Sequence, residues 1–118
     1  MYQKIADISV FDLSGDLDMF EGHQLMRSLA RLIRRQWVKI VLDFGEVEHI
    51  NYKILTDLAS IAVASHTLQG EIKFANVSDY HRNILKVAGV DSYFRTYDSL
   101  ADAILSFEDG YASSAGPC

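Results

Sequence analysis

The stretch that most constrains the fold is a short, mainly apolar run, VKIVLDF at 38–44. Because this run is rich in β-branched residues and lacks polar alternation, it predicts a central strand that is covered on both faces. Apolar residues recur every three or four positions over 20–36 and again over 53–69, which is the spacing of a helix with one buried face. A buried strand between two such helices predicts an α/β domain with a mostly parallel sheet.

The rest of the chain continues this alternation of strands and helices. Further elements are predicted as strands at 2–5, 8–14, 71–77 and 93–97 and as helices at 78–88 and 99–107. The order is β-β-α-β-α-β-α-β-α, which predicts a single domain over 1–107 with a mixed, mostly parallel sheet of about five strands and about four helices. Residues 108–118, EDGYASSAGPC, are small, polar and without period, and we predict that they form a disordered C-terminal tail.

The composition argues against several classes of function. The formal charge of −5 over 118 residues disfavours nucleic-acid binding, which depends on clustered lysine and arginine. No apolar run approaches the roughly 20 residues of a membrane span, and the N-terminus lacks the layout of a signal peptide. Because the one cysteine, Cys118, has no partner for an internal disulfide, we expect a cytoplasmic protein in a reducing compartment.

The sequence motifs of common enzymes are missing as well. The chain has no phosphate-binding glycine loop, no dinucleotide fingerprint and no nucleophile elbow. Its histidines are scattered without the spacing of metal ligands, at His23, His49, His66 and His81. We therefore expect no catalytic residue, no metal and no cofactor, and a function based on protein binding.

One acidic cluster leaves an alternative open. Asp16 and Asp18 follow one predicted strand, and Asp43 lies near the end of another. Three carboxylates at strand ends are able to hold Mg²⁺ and accept a phosphoryl group, as receiver domains do, with Asp43 as the acceptor. Short polar side chains are, however, common in loops, where they bond their own backbone. A receiver also begins with a strand and then a helix, whereas this chain begins with two strands.

Three stretches of the chain resemble the STAS domain family, which includes the anti-sigma factor antagonists. They are SGDLD (14–18) before the first helix, VLDFGEVEHI (41–50) before the second, and FANVSDYHRNILKVAGVDSYF (74–94). Their order and spacing carry the resemblance, which spans residues 5–107. It implies a non-enzymatic regulatory module that binds a protein partner.

In typical antagonists of this family, the second helix begins at an Asp-Ser-Ser-Gly motif. The first serine is phosphorylated by a partner that is both an anti-sigma factor and a serine kinase, and a PP2C-type phosphatase removes the phosphate. Aligning the chain by Ile50 and Leu55 places on this motif, in order, Asn51, Tyr52, Lys53 and Ile54. The resemblance therefore implies the same class of partner, with the phosphoacceptor serine replaced by Tyr52.

Tyr52 is not expected to be phosphorylated by a serine kinase, because its phenol oxygen projects further than a serine hydroxyl. Thr56 and Ser60 follow at intervals of one helical turn, and they are either displaced acceptors or ordinary residues of a helix surface. The predicted partner surface consists of Gly15, Asp16, Leu17, Asp18, Asn51, Tyr52, Lys53, Thr56, Asp57 and Ser60. Alternatively, the domain self-associates or docks in a larger scaffold, as stressosome and transporter relatives do.

Overall fold

The computed structural model describes residues 2–108, in which four α-helices pack against a five-stranded sheet. The strands are β1 (Tyr2–Ile5), β2 (Ile8–Leu17), β3 (Lys39–Ile50), β4 (Glu71–Ala75) and β5 (Arg95–Tyr97). The helices are α1 (Met19–Arg34), α2 (Tyr52–Thr67), α3 (Asp79–Val87) and α4 (Leu100–Leu105). This order confirms the predicted α/β succession of elements. The predicted tail at 108–118 lies outside the described residues, apart from Glu108.

The sheet is mixed, as predicted, and its spatial order follows the chain from β1 to β5. β1 is antiparallel to β2 and joins it through a two-residue turn, in which Ala6 has a φ of 55°. The Lys39 ammonium lies 3.0 Å from the Asp7 carboxylate in this turn, and its hydrogen bond lowers the pKa of Asp7. β2 to β5 are parallel to one another, so their carboxyl ends lie at the same end of the sheet.

β2 and β3 are longer than the sequence predicted. The predicted strands ended at residues 14 and 44, but β2 runs to Leu17 and β3 runs to Ile50. The two strands pair with each other over this extension, with irregularities in register after Asp12 and after Gly15. Gly15 has a φ of 67°, a conformation that glycine adopts without steric cost. The hydrogen bonds between the two extensions therefore satisfy the backbone groups of residues whose polar sequence had suggested loops.

Two predicted strands are shorter in the structure. β4 ends at Ala75 rather than at residue 77, because Asn76 adopts a φ of 57° and leaves the extended conformation. The predicted strand at 93–97 is reduced to Arg95–Tyr97. The residues before it form a 3₁₀ turn at Asp91–Tyr93, in which the Tyr93 amide donates to the Val90 carbonyl at 3.0 Å.

Helices α1, α2 and α3 cover one face of the sheet, and α4 covers the other. The larger core, under α1 to α3, contains the fully buried Leu29, Leu42 and Leu55. The smaller core, under α4, contains Val41 and Ala103. Because successive residues of β3 point to opposite faces, this strand is buried on both sides, as its sequence predicted.

Candidate partner-binding site

The carboxyl ends of β2 and β3 extend beyond β4 and lead into the starts of α1 and α2. The Asn51 amide donates to the Leu17 carbonyl over 3.0 Å, and Leu17 lies opposite Ile50 in the register. The two strand-to-helix junctions are therefore adjacent. This end of a parallel sheet is where α/β domains usually contact ligands, and it brings together the predicted residues of 15–18 and 51–53.

The start of α2 is fixed by a side-chain cap. Asn51 has an extended backbone, and its Oδ1 accepts from the Lys53 amide at 2.8 Å. Asparagine is one of the preferred residues at this position, because its side chain satisfies an amide that has no partner within the helix. Tyr52 is then the first helical residue and is 59% exposed. The cap thus holds the backbone of Tyr52 while its side chain points away from the core.

The outer surface of α2 carries the other predicted residues of this helix. Lys53, Thr56, Asp57 and Ser60 are all exposed. The Thr56 hydroxyl donates to the Lys53 carbonyl at 2.8 Å, a bond within the same helix turn. Ser60 lies one turn further along, beside a shallow groove between α2 and the turn that contains Tyr93. These residues form a surface continuous with Tyr52, and their role as displaced acceptors stays a prediction.

The residues at the end of β2 divide between surface and core. Asp16 is exposed, and Gly15 is half-buried. Leu17, predicted as a surface contact, is only 5% exposed and packs in the larger core, because alternate residues of a strand point to opposite faces. Asp18 is exposed and caps α1, with its carboxylate accepting from the Glu21 amide at 2.9 Å. Leu17 therefore supports the surface from below and does not contribute to it.

A buried histidine on α3, His81, supports the end of β3. Its sequence pattern had not marked it as a site residue. β4 ends before it reaches this part of β3, and the His81 Nε2 donates instead to the Glu48 carbonyl at 3.2 Å. The His81 Nδ1 lies 3.0 Å from the hydroxyl of Ser78, the residue that caps α3. His81 thus ties α3 to the strand that leads into Tyr52. The spacing of a capping serine and a histidine three residues later was the available sequence signal.

The structure does not bring Asp43 together with Asp16 and Asp18. In the register, Asp43 lies opposite Asp12, whereas Asp16 lies opposite His49. Asp16 is four residues after Asp12 on β2, which at about 3.3 Å per residue places it roughly 13 Å further along that strand. The Asp43 carboxylate accepts from the Gly45 amide at 2.9 Å and from the Asn76 side chain at 3.0 Å. Within residues 2–108, no three acidic, histidine or cysteine side chains are placed to hold a metal ion.

Comparison with known proteins identifies the fold and its family. Residues 1–103 match the family model of the STAS domain. The chain belongs to the STAS domain family. It is an anti-sigma factor antagonist-like STAS domain, and this family is non-enzymatic and acts through protein partners. The predicted family and the predicted non-enzymatic class are therefore confirmed.

Individual relatives agree with this assignment. BtrV of Bordetella bronchiseptica, which carries the name of an anti-sigma factor antagonist, is 24% identical over 105 residues, covering 89% of this chain and 90% of BtrV. An antagonist structure from Thermotoga maritima superposes with a TM-score of 0.79 at 17% identity, covering 88% of this chain and 90% of that one. The phosphorylated form of Bacillus SpoIIAA superposes with a TM-score of 0.72 at 15% identity, covering 92% of this chain and 100% of SpoIIAA. Of the helices within residues 2–108, none has the length and apolar character that a membrane crossing requires.

Proposed function

We propose that this STAS domain binds a protein of the anti-sigma factor and serine kinase type, or a related signalling protein, as a non-enzymatic regulator. The contact is centred on the first turn of α2 and the adjoining end of β2. One observation carries the proposal. Tyr52, at the position where the family resemblance puts the phosphoacceptor, is the first residue of α2 and projects from the surface.

In this proposal, serine phosphorylation does not regulate the contact. A phosphate on a serine at a helix N-terminus adds a charge of about −2 to the partner surface, at a place where backbone amides favour an anion. Tyr52 has no hydroxyl at that distance from the backbone, and the next residue, Lys53, is a cation. A PP2C-type phosphatase in the same pathway would then have no phosphoserine substrate at this position.

The replacement also gives the site a stronger apolar anchor than a serine would. Exposed aromatic side chains are enriched among the residues that dominate the free energy of protein binding, since a rigid ring buries a large area when a partner covers it. Polar residues lie next to Tyr52, with Asn51 before it, Lys53 after it and Thr56 one helical turn further on, which is the arrangement of a hot spot with a polar rim. Tyr52 is therefore proposed as a permanent contact that phosphorylation does not break.

The test is the affinity of the protein for the anti-sigma factors and serine kinases of its own organism, measured one by one. We expect one of them to bind, and we expect Tyr52→Ala to weaken that binding by about tenfold or more. Trp37→Ala is the matched control, since Trp37 is also an exposed aromatic but precedes β3 at its opposite end. Equal affinities of the wild type and Tyr52→Ala would refute the site, and the absence of any binding protein would refute the function.

A further inference from the structure

Three exposed aromatic side chains lie in the first turns of the three helices that cover the larger core. Phe20, Tyr52 and Tyr80 are the second residue of α1, the first of α2 and the second of α3. They are 66%, 59% and 56% exposed. The three helices pack on one face and start at the same end of the sheet. We call the surface bordered by these three residues the aromatic end.

Contacts between elements join the three positions. A Cβ atom on Gly22 of α1 would overlap the Ile54 side chain of α2, so the first turns of these helices touch. On the other side, the His49 ring of β3 packs edge-on against the Tyr80 ring, with centroids 6.4 Å apart. Because β3 leads directly into Tyr52, Tyr80 lies beside the approach to α2. The three aromatic residues therefore belong to one continuous surface.

The aromatic end also holds the excess negative charge of the molecule. Seven exposed carboxylates lie in the first two turns of α1 to α3 or on the strand ends before them, namely Asp16, Asp18, Glu21, Glu46, Glu48, Asp57 and Asp79. The lysine and arginine residues in the same segments are Lys53 and the half-buried Arg82. The resulting excess of five negative charges equals the formal charge of the whole chain, −5, so the remainder is balanced. Within residues 2–108, none of the seven carboxylates forms an ion pair.

Three of these carboxylates have a local explanation and the others do not. Asp18 caps α1, and Glu21 and Asp79 lie in the first turns of α1 and α3, where a negative charge favours the helix dipole. Asp16, Glu46 and Glu48 lie on strands, and Asp57 lies in the second turn of α2. A positively charged surface placed against this end of the molecule would meet complementary charge at these carboxylates.

We propose that the aromatic end, as a whole, is the docking surface for a protein partner whose facing surface is rich in arginine and lysine around apolar sockets. This inference rests on the proposed function and names the chemistry of the partner. Guanidinium groups stack on tyrosine and phenylalanine rings and pair with carboxylates. A partner of this kind would contact Phe20 and Tyr80 as well as Tyr52, and the complementary charges would speed its association.

Charge decides between this partner and other occupants. Nucleic acid carries the same sign of charge as the aromatic end and is repelled by it. A second copy of the chain offers one basic surface, the exposed stripe of α1 formed by Arg27, Arg31, Arg34 and Arg35. A contact between that stripe and the aromatic end is head-to-tail and joins successive copies into rings or open chains, so it would produce assemblies that form as the concentration rises.

The test uses defined peptide probes and the ¹⁵N-labelled full chain, observed by amide chemical shifts. The probes are a short arginine and leucine peptide, an arginine and serine peptide of equal charge, and a glutamate and leucine peptide of equal apolarity. We expect the arginine and leucine peptide to bind most tightly and to shift amides in 18–22, 48–53 and 78–82. Its affinity should fall by about tenfold when salt is raised from about 50 to about 500 mM.

Alanine variants separate the contribution of the aromatic rings to peptide affinity from the contribution of charge. A double variant, Phe20→Ala with Tyr80→Ala, keeps every carboxylate and Tyr52, and it should weaken the arginine and leucine peptide by about fivefold or more. Trp37→Ala is the control and should not. The inference is overturned if the glutamate and leucine peptide binds equally well, if the arginine and serine peptide matches the arginine and leucine peptide, or if the shifts map elsewhere.

Two further results distinguish this inference from the proposed function. If an anti-sigma factor binds through Tyr52 while the double variant retains full affinity for that protein and for the peptide, the function stands and the larger surface is refuted. If no anti-sigma factor binds but the peptides behave as expected, the surface stands and the proposed class of partner is refuted. Concentration-dependent self-association that the arginine and leucine peptide abolishes would assign the surface to a second copy and overturn the inference.

Discussion

At the scale of single residues, the candidate site depends on a cap and on a buried histidine. The cap of Asn51 fixes the first turn of α2, and His81 supplies the hydrogen bond that β4 is too short to give to β3. Both residues act on Tyr52 through the backbone and leave its side chain free. The family resemblance pointed to Asn51 but not to its capping role, and the role of His81 depends on a contact 33 residues away in the chain.

Removing the cap should loosen the start of α2. Asn51→Ala is expected to lower the free energy of unfolding by about 1 kcal/mol, because the Lys53 amide loses its acceptor. Asn51→Asp should retain the stability, since a carboxylate also accepts at this position and favours the helix dipole. Urea denaturation measures the free energy of unfolding of both variants, with Asn83→Ala on the exposed surface of α3 as the control. An equal loss for Ala and Asp would contradict the capping role.

Removing the His81 imidazole should lower the free energy of unfolding even when the volume of the side chain is kept. His81→Leu keeps a similar volume but leaves the Glu48 carbonyl and the Ser78 hydroxyl without this partner. The expected loss of stability is about 1–3 kcal/mol, with faster amide exchange at the end of β3. His23→Leu, on the exposed surface of α1, should change stability little. If His81→Leu unfolds at the same urea concentration as the wild type, the bond to Glu48 does not support the strand.

At the scale of secondary structure elements, α1 and α2 fit together through a glycine and an isoleucine. Ile54 is fully buried, and a Cβ atom on Gly22 would overlap its Cγ1 and Cδ1. The family resemblance puts Ile54 where typical antagonists carry glycine. Because Gly22 has no side chain, the first turn of α1 leaves room for the Ile54 side chain of α2, and the two first turns stay in contact.

This packing predicts that Gly22→Ala changes the stability in the direction opposite to its usual effect in a helix. Gly22→Ala in an unconstrained helix would stabilise by about 1 kcal/mol, but here it is expected to destabilise by about 1–3 kcal/mol through overpacking. In an Ile54→Ala background the overlap is gone, so the same substitution should be neutral or stabilising. A double-mutant cycle by urea denaturation measures this coupling. Additive effects of the two substitutions would show that the helices do not meet as described.

The elements themselves were largely predictable from sequence, and their ends were not. Helical periodicity located α1 and α2 to within two residues, and the apolar run at 38–44 located the centre of β3. The ends of β2 and β3 were not predicted as strand because Gly15 interrupts the first strand pattern and the residues after Phe44 are mainly polar. Only the pairing of the two extensions with each other makes these residues strands, and that pairing is not a local property of the sequence.

At the scale of the whole molecule, the topology brings exposed aromatic residues and carboxylates together at the aromatic end. The sequence predicted Tyr52 and its neighbours, because the family resemblance pointed to the start of α2. It did not single out Phe20 or Tyr80, since an aromatic residue in the first turn of one helix is unremarkable. Three parallel strands with helices on one face bring these positions to the same end, where they join the unbalanced carboxylates.

We propose that the binding of the partner does not depend on serine phosphorylation at residue 52. The most direct measurement is the intact mass and co-elution of the wild type and of Tyr52→Ser after incubation with the anti-sigma kinase that binds it, ATP and Mg²⁺. We expect the wild type to stay bound without added phosphate, and Tyr52→Ser to gain one phosphate and dissociate. A wild-type protein that gains phosphate on Thr56, Ser60 or Tyr52 and is released would contradict the account.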